Sequence, residues 1–446
     1  MAIIFAEGFD QYGTVQYNAT PGPGYGGLIS DSTGRYNMLS GVWSEVPLSA
    51  KCYYEDSYNN GDYPFKPRTG KASLGFVTGT GSVHLRRTLF AQKTTVGCAF
   101  AVWMAQLPTD HDTQVLISFL DSKTYPNVGF ILQPDGTIEA KVPVKWGGVT
   151  TNDWLGDLDN DYPYGATTIA SSAVGAFTAG TWNHIEVKVV IGGGGVGQVS
   201  LRINERTDIG FGPVTANTIG TYSTGTYTSA PNDAYVSQVS FLYNSGQSYT
   251  NHHPIFLDDI VCWDNVDVPA GKVVIDWVGD KNVVLQPLAF DNSDGGIHAG
   301  LAAGWDVVGA VGIKEAIDDF NDPTIWVNDP YDDAVLYPTP FVNGRDTASY
   351  LVADTINETV ELRTDVPATI EDIIAVIPVN SLRKTQASTT KVQVSMVDGG
   401  TPINGLDRPV AQDFTYYQDI FERDAAGNLW TPATLNAAFV RIKRTT

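Results

Sequence analysis

The feature that most restricts how this chain can fold is its punctuation. Apolar residues fall in short runs, many alternating with polar ones, and each run is soon closed by Gly, Asn, Asp or Pro. A side-chain period of two belongs to a strand, and a helix of ordinary length does not fit between such stops. Residues 3–9, 73–78, 82–89, 98–106, 114–120, 128–133 and 138–144 read as strands, followed by 182–191, 198–203, 234–243 and 255–263. Pro134-Asp135-Gly136 and the glycine run 192–195 supply hairpin turns between neighbouring strands. Many strands with almost no helical periodicity predict an all-β antiparallel sandwich rather than strand–helix–strand units.

With 446 residues, the chain is long enough for two cores, and a boundary is expected at Pro269-Ala270-Gly271. The expected domains are therefore 1–268 and a smaller β-rich part, 269–446. In the second part, residues 273–277, 283–288, 358–363, 370–378, 390–398, 415–422 and 438–443 read as strands. One short helix is expected over 431–438, with Thr431 as cap, Pro432 at the first position and Leu435 and Ala438 on one side. Against 27 Lys+Arg stand 49 Asp+Glu, a net charge of −22 spread over both halves, which disfavours nucleic acid and anionic membranes as partners. The N-terminus lacks the pattern of a signal peptide, and no apolar run is long enough to span a bilayer, so synthesis in a cytoplasm without membrane insertion is expected. Cys52, Cys98 and Cys262 are widely spaced and fit neither a disulfide framework nor a metal motif. They read as small buried hydrophobes of a reducing compartment.

Three stretches of the first half carry a resemblance. They are Phe5-Ala6-Glu7-Gly8-Phe9-Asp10, Trp182-Asn183-His184-Ile185-Glu186-Val187-Lys188-Val189 and Phe256-Leu257-Asp258-Asp259-Ile260-Val261-Cys262-Trp263. Together they resemble the concanavalin A-like, laminin-G-type jelly roll, a lectin-like antiparallel sandwich. That resemblance implies first and last strands paired side by side and a central strand whose Ile185, Val187 and Val189 line the core. The second half is similar to C-terminal modules of tailed-bacteriophage virion proteins, through Gly271-Lys272-Val273-Val274-Ile275-Asp276, Trp326-Val327-Asn328-Asp329 and the run from Tyr416 to Ala437. This implies a tail-fibre, spike or decoration protein of a virion, made in the host cytoplasm. Its partners would be other virion proteins, further copies of itself (a trimer being common among fibres) and a host-surface glycan.

For chemistry, the alternating carboxylates E-x-D-x-x-E of retaining glycosidases are missing, since Glu7 is followed by Phe9 and Asp10 and Glu186 stands among Val and Lys. No nucleophile elbow occurs, and a glycine run followed by a strand cannot cradle a phosphate as a helix N-terminus does. The expectation is a protein that is not an enzyme, with a carbohydrate-active enzyme or binding module acting on host polysaccharide as the alternative. Aromatic rings among Asp and Asn suit sugar stacking and equally a subunit interface, which makes Trp146, Trp154, Tyr162, Tyr164 and Tyr58 candidate glycan contacts with a protein interface as the alternative. In the same region Asp153, Asp157, Asp159 and Asp161 supply oxygen ligands at alternate positions, a calcium candidate. Tyr162 stands where an EF-hand requires Gly.

Overall fold

The computed structural model describes residues 2–8, 27–28, 43, 50–54, 68, 72–76, 83–108, 114–122, 126–143, 166–191, 197–213, 235–244, 255–264, 277–280 and 283 of the first part. In the second it describes 305–308, 341–342, 345–346, 350–353, 356–357, 359–362, 373–382, 384, 389–412 and 415–446. The chain divides into two compact units, the first made of Met1–Phe9, Leu28–Asn37 and Trp43–Val283, the second of Asp10–Gly27, Met38–Val42 and Val284–Thr446. The first unit thus runs on to Val283, past the Pro269-Ala270-Gly271 turn.

The strands of the first unit begin with β1 (Ala2–Glu7), β2 (Gly27–Leu28), β3 (Ala50–Tyr54), β4 (Ala72–Phe76), β5 (Val83–Lys93), β6 (Thr95–Met104) and β7 (Gln114–Leu120). They continue with β8 (Pro126–Leu132), β9 (Ile138–Pro143), β10 (Ala166–Ser171), β11 (Trp182–Val190), β12 (Gln198–Ile203), β13 (Arg206–Pro213), β14 (Val236–Asn244) and β15 (Ile255–Asp264). Two antiparallel sheets result. The back sheet has the order β13-β12-β11-β6-β15-β4-β3-β2 with β1 also on β15, and the front sheet has the order β10-β9-β8-β7-β14-β5. The first and last strands pair side by side, Glu7 opposite Ile260 and Ala2 opposite Asp264, as the resemblance implied. The fold is an antiparallel jelly-roll-type β-sandwich.

Alternation along the strands explains the core. Ile185, Val187 and Val189 are fully buried, as expected, and each contributes about 1.5–3 kcal/mol through burial. Phe100 of the back sheet meets Phe241 of the front sheet edge-on, with ring centroids 5.3 Å apart. Phe241 in turn packs on Trp43, and Trp43 on Phe5, tying β1 into the same aromatic column. On the outer side of the back sheet, Gly97 faces Trp263 across the strands, and a Cβ at Gly97 would overlap the indole. A side chain there would have to displace the ring, so the strand needs glycine at this point.

The second unit is smaller and, among the described residues, holds one helix. Its strands are β16 (Trp305–Val308), β17 (Phe341–Val342), β18 (Arg345–Asp346), β19 (Tyr350–Ala353), β20 (Thr359–Leu362) and β21 (Val379–Leu382). β22 (Lys391–Asp398), β23 (Thr401–Pro409), β24 (Thr415–Gln418), the helix α1 (Pro432–Ala437) and β25 (Phe439–Arg444) follow. The sheet β20-β25-β22-β23 packs Val394, Met396, Val440 and Ile442 against Phe421, Trp430 and Leu435.

The run from Asp424 to Thr434 is held by local hydrogen bonds. The Asp424 carboxylate accepts the Asn428 N–H at 2.7 Å, Gly427 takes a φ of 85° that favours glycine, and the Trp430 indole N–H donates to the Phe421 carbonyl at 2.9 Å. Thr431 then caps α1: its hydroxyl accepts the Thr434 N–H at 3.1 Å, while the Thr434 hydroxyl accepts the Thr431 N–H at 2.9 Å. A Thr431→Ala variant should lose about 1 kcal/mol. Its melting temperature should fall by a few degrees in calorimetry, and an unchanged value would show that the packing of Leu435 and Trp430 alone sets the helix.

Candidate functional site

The two outer faces of the sandwich differ in what covers them. On β11, His184, Glu186 and Lys188 alternate with the core residues and so face outward from the back sheet. Glu186 lies opposite Arg202 of β12, their side chains 3.3 Å apart. Residues 277–280 and Val283 are tied to this sheet by carboxylates. The Gly279 N–H donates to Glu186 at 2.8 Å, the Asp280 N–H to Glu205 at 3.3 Å and the Val283 N–H to Asp259 at 2.6 Å. Arg202 stacks over the Trp277 ring with its guanidinium 5.3 Å from the centroid.

Asp259 is the most constrained member of this set. It sits at a bulge in β15 with a φ of 49°, and its side chain is fully buried. Arg68 binds its carboxylate at 2.9 Å and also reaches Asp280. The preceding Asp258 accepts the Ser73 hydroxyl at 2.6 Å and the Asp259 N–H at 2.9 Å, which fixes the bulge.

His184 is buried beside this network. Among the described residues neither of its ring nitrogens has a hydrogen-bond partner. Burial, followed by the charges of Arg68 and Arg202, pushes its pKa down to about 3. The group is therefore neutral in the fold but titrates near 6.5 when unfolded. Its contribution to stability is present above pH 6.5 and is lost as the pH falls from there toward 3. Glu186 works in the opposite sense: burial raises its pKa, so its contribution is present at low pH and lost as the pH rises through the raised value. A His184→Gln variant should flatten the loss of stability between pH 6.5 and 3, read by urea denaturation at several pH values. An unchanged slope would assign that loss to other groups.

The front sheet carries a different face. The contact of Phe241 with Phe100 fixes Val239 and Phe241 as inward, so Ser240 and Gln238 point outward. Strand register carries that direction across the sheet. Arg86 on β5 lies opposite Ser240 on β14, Ser240 opposite Ser118 on β7, and Ser118 opposite Gly129 on β8. Gly129 lies opposite Lys141 on β9, and Lys141 opposite Thr168 on β10. One outward residue from each of the six strands thus stands in a straight row, with a cation toward either end and a glycine notch between Ser118 and Lys141.

A second row, Thr88–Gln238–Leu120, runs beside it. Inter-strand spacing puts Arg86 and Lys141, four strands apart, about 19 Å from each other. Lys141 is held by Glu139, whose carboxylate lies 2.8 Å from its ammonium and also accepts the Gln133 amide at 2.9 Å. Ser118 Oγ and Gln238 Oε1 are buried and have no hydrogen-bond partner among the described residues. Buried polar atoms are nearly always paired, so this face has hydrogen-bonding capacity that the described residues do not use. Ser118, Ser240 and Lys141 are themselves buried, so a hydroxylated polyanion on this side would meet the Arg86 guanidinium and the Lys141–Glu139 pair above hydroxyls and an amide.

The candidate contacts Trp146, Trp154, Tyr162, Tyr164 and Tyr58, and the calcium candidates Asp153, Asp157, Asp159 and Asp161, lie outside the described residues. Arg86, Ser118, Lys141, Gln238 and Ser240 were missed in the sequence because each is an ordinary polar position of an alternating strand. Only register aligns them. Among the described residues no group of three or more His, Cys, Asp or Glu side chains is placed to hold a metal ion, and no helix is long and apolar enough to cross a membrane.

No protein-family model and no curated protein matches this chain. Solved structures do. An endo-beta-1,4-glucuronan lyase from the fungus Trichoderma reesei is 10% identical with a TM-score of 0.33, covering 50% of this chain and 91% of its own. Alginate lyase Aly36B is 12% identical with a TM-score of 0.33, covering 56% and 95%. A marine alginate lyase from Aplysia kurodai is 14% identical with a TM-score of 0.28, covering 44% and 84%. The expectation that the chain is not an enzyme is corrected by these likenesses. It rested on catalytic patterns that the sequence lacks: the carboxylate pair of glycosidases, a nucleophile elbow and a phosphate-cradling glycine loop.

Proposed function

We propose that the first unit is a carbohydrate-active domain that takes an acidic polysaccharide across the outer face of the front sheet. The observation that carries this reading is the register row Arg86–Ser240–Ser118–Gly129–Lys141, which puts two cations at the ends of a polar floor in a chain of net charge −22. A uronate carboxylate paired with Arg86 is neutralised. That acidifies the neighbouring C–H; transfer of this proton to a base, with rupture of the β C–O bond and protonation of the departing oxygen, is the elimination by which polyuronates are cleaved. Arg86 supplies the neutralisation for such an elimination, and the row supplies the grip on the polymer. Incubation with a panel of polyuronates should give retarded migration of the protein in polymer-containing gels and release of unsaturated uronate ends, read by ultraviolet absorbance. Retardation without release would make the domain a binding module. Neither response across the panel would remove the reading.

The motifs of the second half support carriage on a tailed-phage particle, where such a domain would meet host-surface polysaccharide beside other virion proteins and further copies of itself. Mass spectrometry of purified particles tests this. Absence of the chain from them would leave a free carbohydrate-active protein.

A further inference from the structure

Cys98 and Cys262 are separated by 164 residues in sequence, yet they face each other directly across β6 and β15. Both side chains are buried, and their sulfurs lie 2.8 Å apart, closer than two unbonded sulfurs in van der Waals contact. Directly opposed residues of an antiparallel pair have Cα atoms about 4.5–5.5 Å apart, inside the range of about 4.4–6.8 Å that a disulfide spans. Two thiols held in register at such a separation differ from a scatter of small hydrophobes, which is how the sequence alone presents them. We propose that Cys98 and Cys262 are a disulfide-forming pair that covalently joins these two central strands of the back sheet when the chain folds in contact with a small-molecule disulfide.

The exchange runs in two steps. One cysteine attacks the small-molecule disulfide, forming a mixed disulfide and releasing one small thiol. The other cysteine then attacks the protein-bound sulfur, closing the Cys98–Cys262 bond and releasing the second small thiol. The pair loses two electrons, the small disulfide gains them, and the two protein thiol protons end on the two released thiols. Burial raises the Cys98 thiol well above its ordinary range, which starves the folded protein of the attacking thiolate. The bond is therefore set while β6 and β15 come together and is protected afterwards.

The test refolds the full chain with glutathione disulfide or with reduced glutathione and titrates thiols in denaturant. The reduced sample should show three thiols per chain and the oxidised sample one, because two of the three cysteines are consumed. Digestion without reductant should give a peptide joining Cys98 to Cys262. The oxidised form should melt roughly 5 °C higher, a difference erased by reductant. Already folded, reduced protein given the same glutathione disulfide should keep its three thiols. A Cys52→Ala variant should still give the peptide joining Cys98 to Cys262, and a Cys262→Ala variant should give no disulfide-linked pair of peptides from within the chain. Three thiols after oxidative refolding, or a linkage through Cys52, would overturn the pairing.

Discussion

Replacing Lys141 by glutamine is expected to weaken polyuronate binding at least tenfold, and the Arg86→Gln, Lys141→Gln double variant more than a hundredfold. A charge-assisted hydrogen bond contributes about 1.5–3 kcal/mol, and 1.4 kcal/mol is a factor of ten. The two cations stand about 19 Å apart, so a disaccharide cannot touch both, and the double loss should exceed either single loss only for longer oligomers. Affinity measured against oligouronates of increasing length should rise until both ends are engaged and then level off. Added salt should weaken binding of the wild type more than of the double variant, because fewer charges remain to be screened. Thr168, exposed at the end of the row, is the control, and its alanine variant should stay within about twofold. Equal affinity of the double variant and the wild type for long oligomers would take the site away from the front sheet.

How much of this was legible beforehand follows from what a sequence encodes locally. Residues 114–120 and 198–203 match β7 and β12 residue for residue, because an apolar strand between turn residues announces itself. β10 and β13 were missed because their outward residues, such as Thr168, Arg206 and Asp208, leave no apolar alternation. The hairpin joining β12 to β13 turns on Asn204 and Glu205, with φ of 49° and 63°, where the usual sequence signal would be Asn-Gly. At the other extreme, Thr431 and Pro432 announce α1 because capping is read within one turn of chain. The polar row belongs to neither group. Each of its residues is unremarkable in its own strand, and the row exists only after five registers are fixed. The same holds for Cys98 and Cys262, whose pairing is a property of β6 meeting β15.

Removal of the Asp259 carboxylate is expected to cost the first unit about 3–5 kcal/mol, the range for breaking a buried ion pair on one side. Alanine would leave Arg68 without its 2.9 Å partner and the Val283 N–H without its acceptor, while still holding a non-glycine residue at a φ of 49°. Glycine would lose the same two contacts but relieve the left-handed backbone, a difference of about 1 kcal/mol in its favour. Asparagine tolerates that backbone and retains an oxygen for Val283, losing the charge alone. The order of destabilisation should therefore be Asp259→Asn, then Asp259→Gly, then Asp259→Ala, read by denaturant unfolding with tryptophan fluorescence. Equal effects of glycine and alanine would show that the bulge stores no strain. Asp259 and the residues it and Glu186 hold, Gly279 and Val283, belong to the back sheet, and the polyuronate row to the front sheet. Under native conditions, then, the asparagine variant should bind polyuronate as the wild type does while unfolding at lower denaturant. Parallel loss of binding and stability in that variant would mean that the front face depends on the closure of the back one.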